Sequence, residues 1–222
     1  MENPVAVVGG AGRIGRLVVA GLLERGEEVR VLSRRPRGVQ SGAEPHQADV
    51  RDRQSLSLPL AGLSAVVISV EPGTANSGPD SPEATMYQGV LNVLDAATAG
   101  GEKPHVVLVS QIYVTRKNHP INRTGRMLDM RLAGEDAIRR SGLPYTVVRP
   151  SWLTGGRGGT GVRLEQGDTG DGEITRQDVA DAVVQSLYSP AARSLTFEMY
   201  NTSGGVRADW DDLFSTLTPD SH

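Results

Sequence analysis

"AVVGGAGRIG" runs from Ala6 to Gly15, with Gly9, Gly12 and Gly15 evenly spaced behind a short apolar run. The segment before the glycines, "PVAVVG" (Pro4 to Gly9), is β-branched and reads as a buried strand. The segment after them, "RIGRLVVAGLLERG", sets Ile14, Leu17, Val18 and Leu22 at helical spacing and stops at Gly26. A strand, a glycine turn and a helix in that order make a phosphate cradle. Gly9 permits the tight turn, Gly12 lets a pyrophosphate approach the backbone, and Gly15 lets the helix pack close to the sheet. Free N–H groups and the positive end of the helix dipole then face the phosphates. The stretch predicts dinucleotide binding, with Arg13 and Ile14 in the same loop.

Working outward, apolar runs of two kinds alternate. Strands are expected over Glu27–Arg34, Ala43–Val50, Ala65–Val70, His105–Ser110 and Pro144–Pro150, and in "SLTFEMYN". Helices are expected over Arg53–Leu60, in the run ending at Gly100 or Gly101, in "RMLDMRLAGEDAIRRSG", in "TRQDVADAVVQSLYS", and in "ADWDDLFSTL". Such alternation implies an α/β protein: a doubly wound, Rossmann-type parallel sheet covered on both faces, in one domain over residues 1–222. One stretch breaks the pattern. Residues 153–174 are thick with glycine and read as a surface loop or, being placed after a crossover strand, a mobile flap over a site. Residues 190–222 are expected to form the substrate side. The four carboxylates of "EQGDTGDGE" lack calcium-loop spacing and read as a solvated loop.

The second strand decides which dinucleotide. A site for NAD ends that strand on a carboxylate, whereas here stand Ser33, Arg34 and Arg35. Two guanidinium forks and a hydroxyl suit a 2′-phosphate, so NADP(H) is the expected cofactor, and Arg13 could add to the same charge. Asp49 and Val50, after the third strand, either flank the adenine or cap the next helix. Ser69 and Val70 end the fourth strand, at the edge where parallel sheets bind ligands.

Composition narrows the alternatives. A net charge of -3 argues against a nucleic-acid partner. No apolar stretch approaches bilayer length, and no signal peptide is read, so no membrane partner is expected. With no cysteine, disulfides and thiolate chemistry are excluded and a reducing cytoplasm is expected. The histidines at 46, 105, 119 and 222 show no ligand spacing, so no metal is expected, and His105 reads as a surface residue. The absence of a G-x-S-x-G elbow argues against a hydrolase.

Four segments carry a family resemblance: "VVGGAGRIGRLVVAGLLERGEEVRVLSRRP", "YQGVLNVLDAATAGGEKPHVVLVS", "NHPINRTGRMLDMRLAGEDAIRRSGLPYTVVRPSWLTGG" and "ITRQDVADAVVQSLYSP". Together they resemble the atypical short-chain dehydrogenases, the NmrA-like and flavin-reductase-like branch that binds NAD(P). The resemblance implies a Rossmann sheet, NADP, and a substrate pocket from the C-terminal segments. It places Pro150, Ser151, Trp152 and Leu153 near the nicotinamide. It makes Ser110 the active-site serine, expected to polarise an acceptor oxygen. Trp152 either packs on a flat ring or anchors the core. The Tyr and Lys of the common Tyr-x-x-x-Lys pair fall on Met127 and Arg131. Arg131 can still hold ribose or phosphate, but neither residue is an acid, so Tyr113 and His119 become the other catalytic candidates.

The implied function is an NADPH-dependent oxidoreductase acting on a small carbonyl, quinone or flavin-like molecule. A non-catalytic NADP-binding redox sensor, or a redox-silent isomerase or cyclase, are the rival readings. The partner expected is a small-molecule substrate, and the assembly a monomer or homodimer.

Overall fold

The computed structural model describes residues 1–159, 161–204 and 209–221. In chain order the elements are β1 (Val5–Val8), α1 (Arg13–Glu24), β2 (Val29–Ser33), β3 (Glu44–Gln47), α2 (Arg53–Leu56) and β4 (Ala65–Ile68). A π-helical turn over Glu83–Tyr87 leads into α3 (Gln88–Ala97), followed by β5 (His105–Val109), α4 (Met127–Arg140) and β6 (Tyr145–Pro150). The chain then forms β7 (Trp152–Thr154), β8 (Gly161–Glu165), β9 (Glu173–Thr175), α5 (Arg176–Tyr188), β10 (Leu195–Thr202) and α6 (Trp210–Ser215).

Eight strands make one sheet in the order β3-β2-β1-β4-β5-β6-β10-β8, parallel except for β8, which runs antiparallel to β10. The strand order reverses beside β1. Its neighbours are β2 on one side and β4 on the other, and a crevice opens there at the carboxyl ends.

Side-chain alternation explains the layers. Val5, Val7, Val31 and Val67 point to a core shared with Val18 and Leu22 of α1 and Val179 and Val183 of α5. Ala6, Val8, Leu32 and Val66 point to the opposite core, with Val90 and Val93 of α3 and Ile138 of α4. Both faces are thus covered, as continuous apolar strands require. No helix among the described residues is long and apolar enough to cross a membrane.

The glycine-rich stretch is not a free loop. It supplies β8 to the edge of the main sheet, and β9 pairs in parallel with β7. Nor is Asp168 solvated: at 3% exposure, its carboxylate accepts the backbone N–H of Tyr113 (2.5 Å) and of Thr115 (2.9 Å) and the Thr115 hydroxyl (2.8 Å). The Arg116 guanidinium donates to the Asp168 carbonyl at 3.0 and 3.1 Å. These bonds stitch the stretch to the loop after β5. Thr160, inside the expected flap, and residues 205–208 and 222, inside the expected substrate side, lie outside the described residues.

His105 is also buried rather than on the surface, at 7% exposure, with its Nε2 3.0 Å from the Thr146 hydroxyl. Burial, with Arg193 nearby, pulls the imidazole from 6.5 to about 4, so folding favours the neutral ring. The stability this carries is complete above pH 6.5 and is lost as pH falls from there towards about 4. Urea denaturation at about pH 5 should therefore show about 2 kcal/mol less stability from this group than at about pH 7. His105→Gln should abolish that part of the slope.

Candidate functional site

The glycine loop sits at the mouth of the crevice. Gly9 adopts φ +83°, and a Cβ there would strike the Ser69 carbonyl, so only glycine fits between the ends of β1 and β4. A Cβ on Gly15 would strike the Gly9 carbonyl. Gly15 thus lets α1 lie against the loop's own backbone, where the sequence suggested close packing on the sheet. Gly12 caps α1 with no side chain, and the first turn carries no acidic residue. Its N–H groups and dipole are left for an anion, whereas α5 and α6 are capped by Thr175 and Asp209.

Two cavities share Ser69, Val70 and Glu71. The first, about 220 Å³, is lined by Gly9, Gly12, Ser33, Arg34, Asp49 and Val50, among others. Arg34 borders it, while Arg35 is exposed away from its lining and gives only its backbone N–H to the Ser33 hydroxyl at 3.3 Å. Arg13 borders the other cavity. Asp49 is gripped by Arg51 at 2.9 and 2.6 Å, and this bonding holds its carboxyl below the usual range. Asp49 does not cap α2, since Asp52 does so through the Gln54 N–H at 3.0 Å. Arg51 was not foreseen, although it lies in the same "ADVRD" run.

The second cavity, about 430 Å³, gathers Arg13, Ile14, Ser69, Val70, Ser110, Tyr113, Met127, Arg131 and the run Pro150–Leu153. Glu71, Gln111, Ile112 and Ile121 also line it and carried no motif that would have marked them. None of the described residues of 190–222 does so. That segment instead supplies β10 and the α6 cover.

Ser110 is not free to polarise an acceptor. Its hydroxyl donates to Glu135 Oε1 at 2.6 Å, leaving only lone pairs for the cavity. Glu135 is fully buried and also accepts from Arg149 at 3.1 and 2.7 Å and from Arg139 at 3.1 Å. Arg149 reaches on to Glu198 Oε1 at 2.8 Å, and burial raises the Glu198 carboxyl above its ordinary value.

Tyr113 holds φ +73°, unusual for a bulky residue, between His119 (ring centroids 4.7 Å apart) and Trp152 (6.0 Å). Burial and a hydrogen bond to Asp171 raise its phenol, so the proton stays on. His119 is not on the cavity wall. Its Nδ1 accepts the Ile121 N–H at 3.3 Å and caps the 3₁₀ turn Pro120–Arg123.

Met127 and Arg131 lie one turn apart on α4 and both face this cavity. The Arg131 side chain, on a residue 8% exposed, makes no hydrogen bond among the described residues, and its Nε is buried. Burial lowers its pKa, against the pull of Glu71 and Glu135. Ser151 Oγ is likewise buried without a partner. Two unsatisfied buried groups in one cavity, below an uncapped helix and a glycine cradle, fit a dinucleotide together with a polar ligand.

Removing one charge from the buried chain should be costly. Arg149→Met leaves Glu135 and Glu198 without their shared cation, and a loss of about 3–5 kcal/mol is expected in urea denaturation.

Comparison with known proteins agrees with this geometry. The family profile described as NAD(P)H-binding matches residues 9–190. Sanguinarine reductase from Eschscholzia californica is 29% identical, over 96% of each chain. The structure of an oxidoreductase from Lactococcus lactis superposes with a TM-score of 0.81 at 17% identity, covering 99% of both chains. A short-chain dehydrogenase/reductase from Veillonella parvula, solved in complex with NADP, gives 0.71 at 16% identity, over 94% of this chain and 98% of that one. The cradle at the switch point and the profile spanning most of the sequence place the chain in the NAD(P)H-binding family, on a Rossmann-type fold.

Proposed function

We propose that this protein is an NADPH-dependent reductase of acceptors that need no proton from a protein acid, such as quinones or flavin-like rings. The observation that carries this reading is the commitment of both candidate protons. The Ser110 hydroxyl donates its hydrogen bond to Glu135, and the Tyr113 phenol donates its own to Asp171. A simple ketone becomes a strongly basic alkoxide on reduction and needs an acid in place. A quinone or flavin becomes a delocalised anion that water can protonate. Sanguinarine reductase, as a relative, supports a reductase.

When bound, NADPH supplies a hydride from its nicotinamide ring. The glycine loop and the start of α1 hold its pyrophosphate, and Arg34 with Ser33 its 2′-phosphate. Asp49, Val50, Ser69 and Val70 line the adenosine side. Pro150, Ser151, Trp152 and Leu153 face the nicotinamide side, and Arg35 adds only distant charge. Arg131 gives its unspent N–H groups to the ribose, and its charge favours acceptors that turn anionic. Ser110 offers lone pairs to a donor on cofactor or substrate. The substrate is a small molecule, and the working unit a monomer or homodimer.

Calorimetric titration tests the cofactor assignment. NADPH should bind far more tightly than NADH, and Arg34→Ala should cost NADPH about 1.5–3 kcal/mol while leaving NADH unchanged. Equal loss for both would remove Arg34 from the 2′-phosphate. Assays of NADPH consumption should succeed with a naphthoquinone or a flavin and fail with a simple ketone. Tight binding with no consumption of either would leave an NADP-binding regulator.

A further inference from the structure

Four large apolar side chains are exposed among the described residues: Met1, Leu58, Trp152 and Tyr188. Of these, Trp152 borders the cavity that holds Ser110 and Arg131, with 50% of its surface uncovered. It is also held in place. Its Nε1–H donates to Asp171 Oδ1 at 3.1 Å, its backbone N–H donates to the Gly172 carbonyl at 3.2 Å, and its ring meets Tyr113 at 64°. The same Asp171 oxygen accepts the Gly172 N–H at 2.7 Å, and Asp171 takes the Tyr113 hydroxyl as well. Tyr113 in turn is fixed in its left-handed conformation by Asp168.

An indole left half in water is unfavourable, and one immobilised there has already lost its rotamer freedom. Both costs turn to advantage when a flat ring covers it, because no further ordering is needed on binding. Ser151, whose Oγ is buried without a partner, lines the same cavity and calls for a polar atom on whatever enters.

We infer that Trp152 is the platform on which the substrate stacks, and that the substrate is a planar aromatic ring system carrying a hydrogen-bond acceptor. This rests on the reading of the cavity as the acceptor site of a reductase. Asp171 and Tyr113 act as positioning residues that aim the indole.

The chain has two tryptophans, Trp152 and Trp210, so Trp210→Phe leaves Trp152 as the sole reporter. Titrating that variant with 1,4-naphthoquinone, with NADP+ present, should quench its emission saturably. In the otherwise unmodified protein, Trp152→Leu should weaken naphthoquinone binding by about tenfold and Trp152→Phe should recover most of it. Asp171→Ala should weaken it by about threefold, within the range for one lost positioning contact. NADP+ affinity should stay unchanged in Asp171→Ala, whose side chain lines neither cavity. Failure of naphthoquinone to bind the unmodified protein, or binding that Trp152→Leu leaves untouched, overturns the inference. Saturable quenching without NADPH consumption upholds the stacking platform while removing the reductase reading.

Discussion

The carboxyl end of the sheet is held by one guanidinium between two buried carboxylates. Arg149, on β6, joins Glu135 of α4 to Glu198 of β10. Each carboxylate then reaches further. Glu135 accepts the Ser110 O–H, while Glu198 accepts the Asp168 N–H at 3.0 Å, and Asp168 holds the backbone of Tyr113. Ser110 and Tyr113, which both line the second cavity, are thereby set by one chain of charge-assisted bonds. Burying three charges is expensive in itself. Its return is a defined geometry across three separate elements, which apolar packing fixes less sharply.

Much of this was legible in the sequence because parallel strands buried on both faces read as continuous apolar runs. Val5–Val8, Ala65–Ile68 and His105–Val109 lie within the predicted segments, and the glycine turn between β1 and α1 announces its own use. Residues 153–174 misled for a physical reason. β8 owes its existence to β10, more than thirty residues away by register, as in Glu198 facing Glu165, and a local pattern rich in glycine gives no hint of that partner. His105 misled because a polar residue at a strand end looks solvent-facing until its neighbour strand, with Thr146, is in place.

The site was legible in its membership and not in its directions. Most of the residues named from sequence line one of the two cavities, but where each proton points depends on contacts between elements. Ser110 meets Glu135 across a separation of 25 residues, and Tyr113 is engaged from the 168–171 segment. Arg34 and Arg35 part company beyond the end of β2, where Arg34 lines the first cavity and Arg35 does not. Spacing alone could not divide them.

The stitching of the glycine-rich stretch by Asp168 bears on the timing of turnover. A lid that must shut before reaction adds a conformational step to every cycle, and its reopening often limits the rate. Here the wall bearing Leu153 and Trp152 is already assembled, with β7 paired to β9 and the loop after β5 tied down. Under the function proposed above, a wall assembled before any ligand arrives would let solvent supply the final proton.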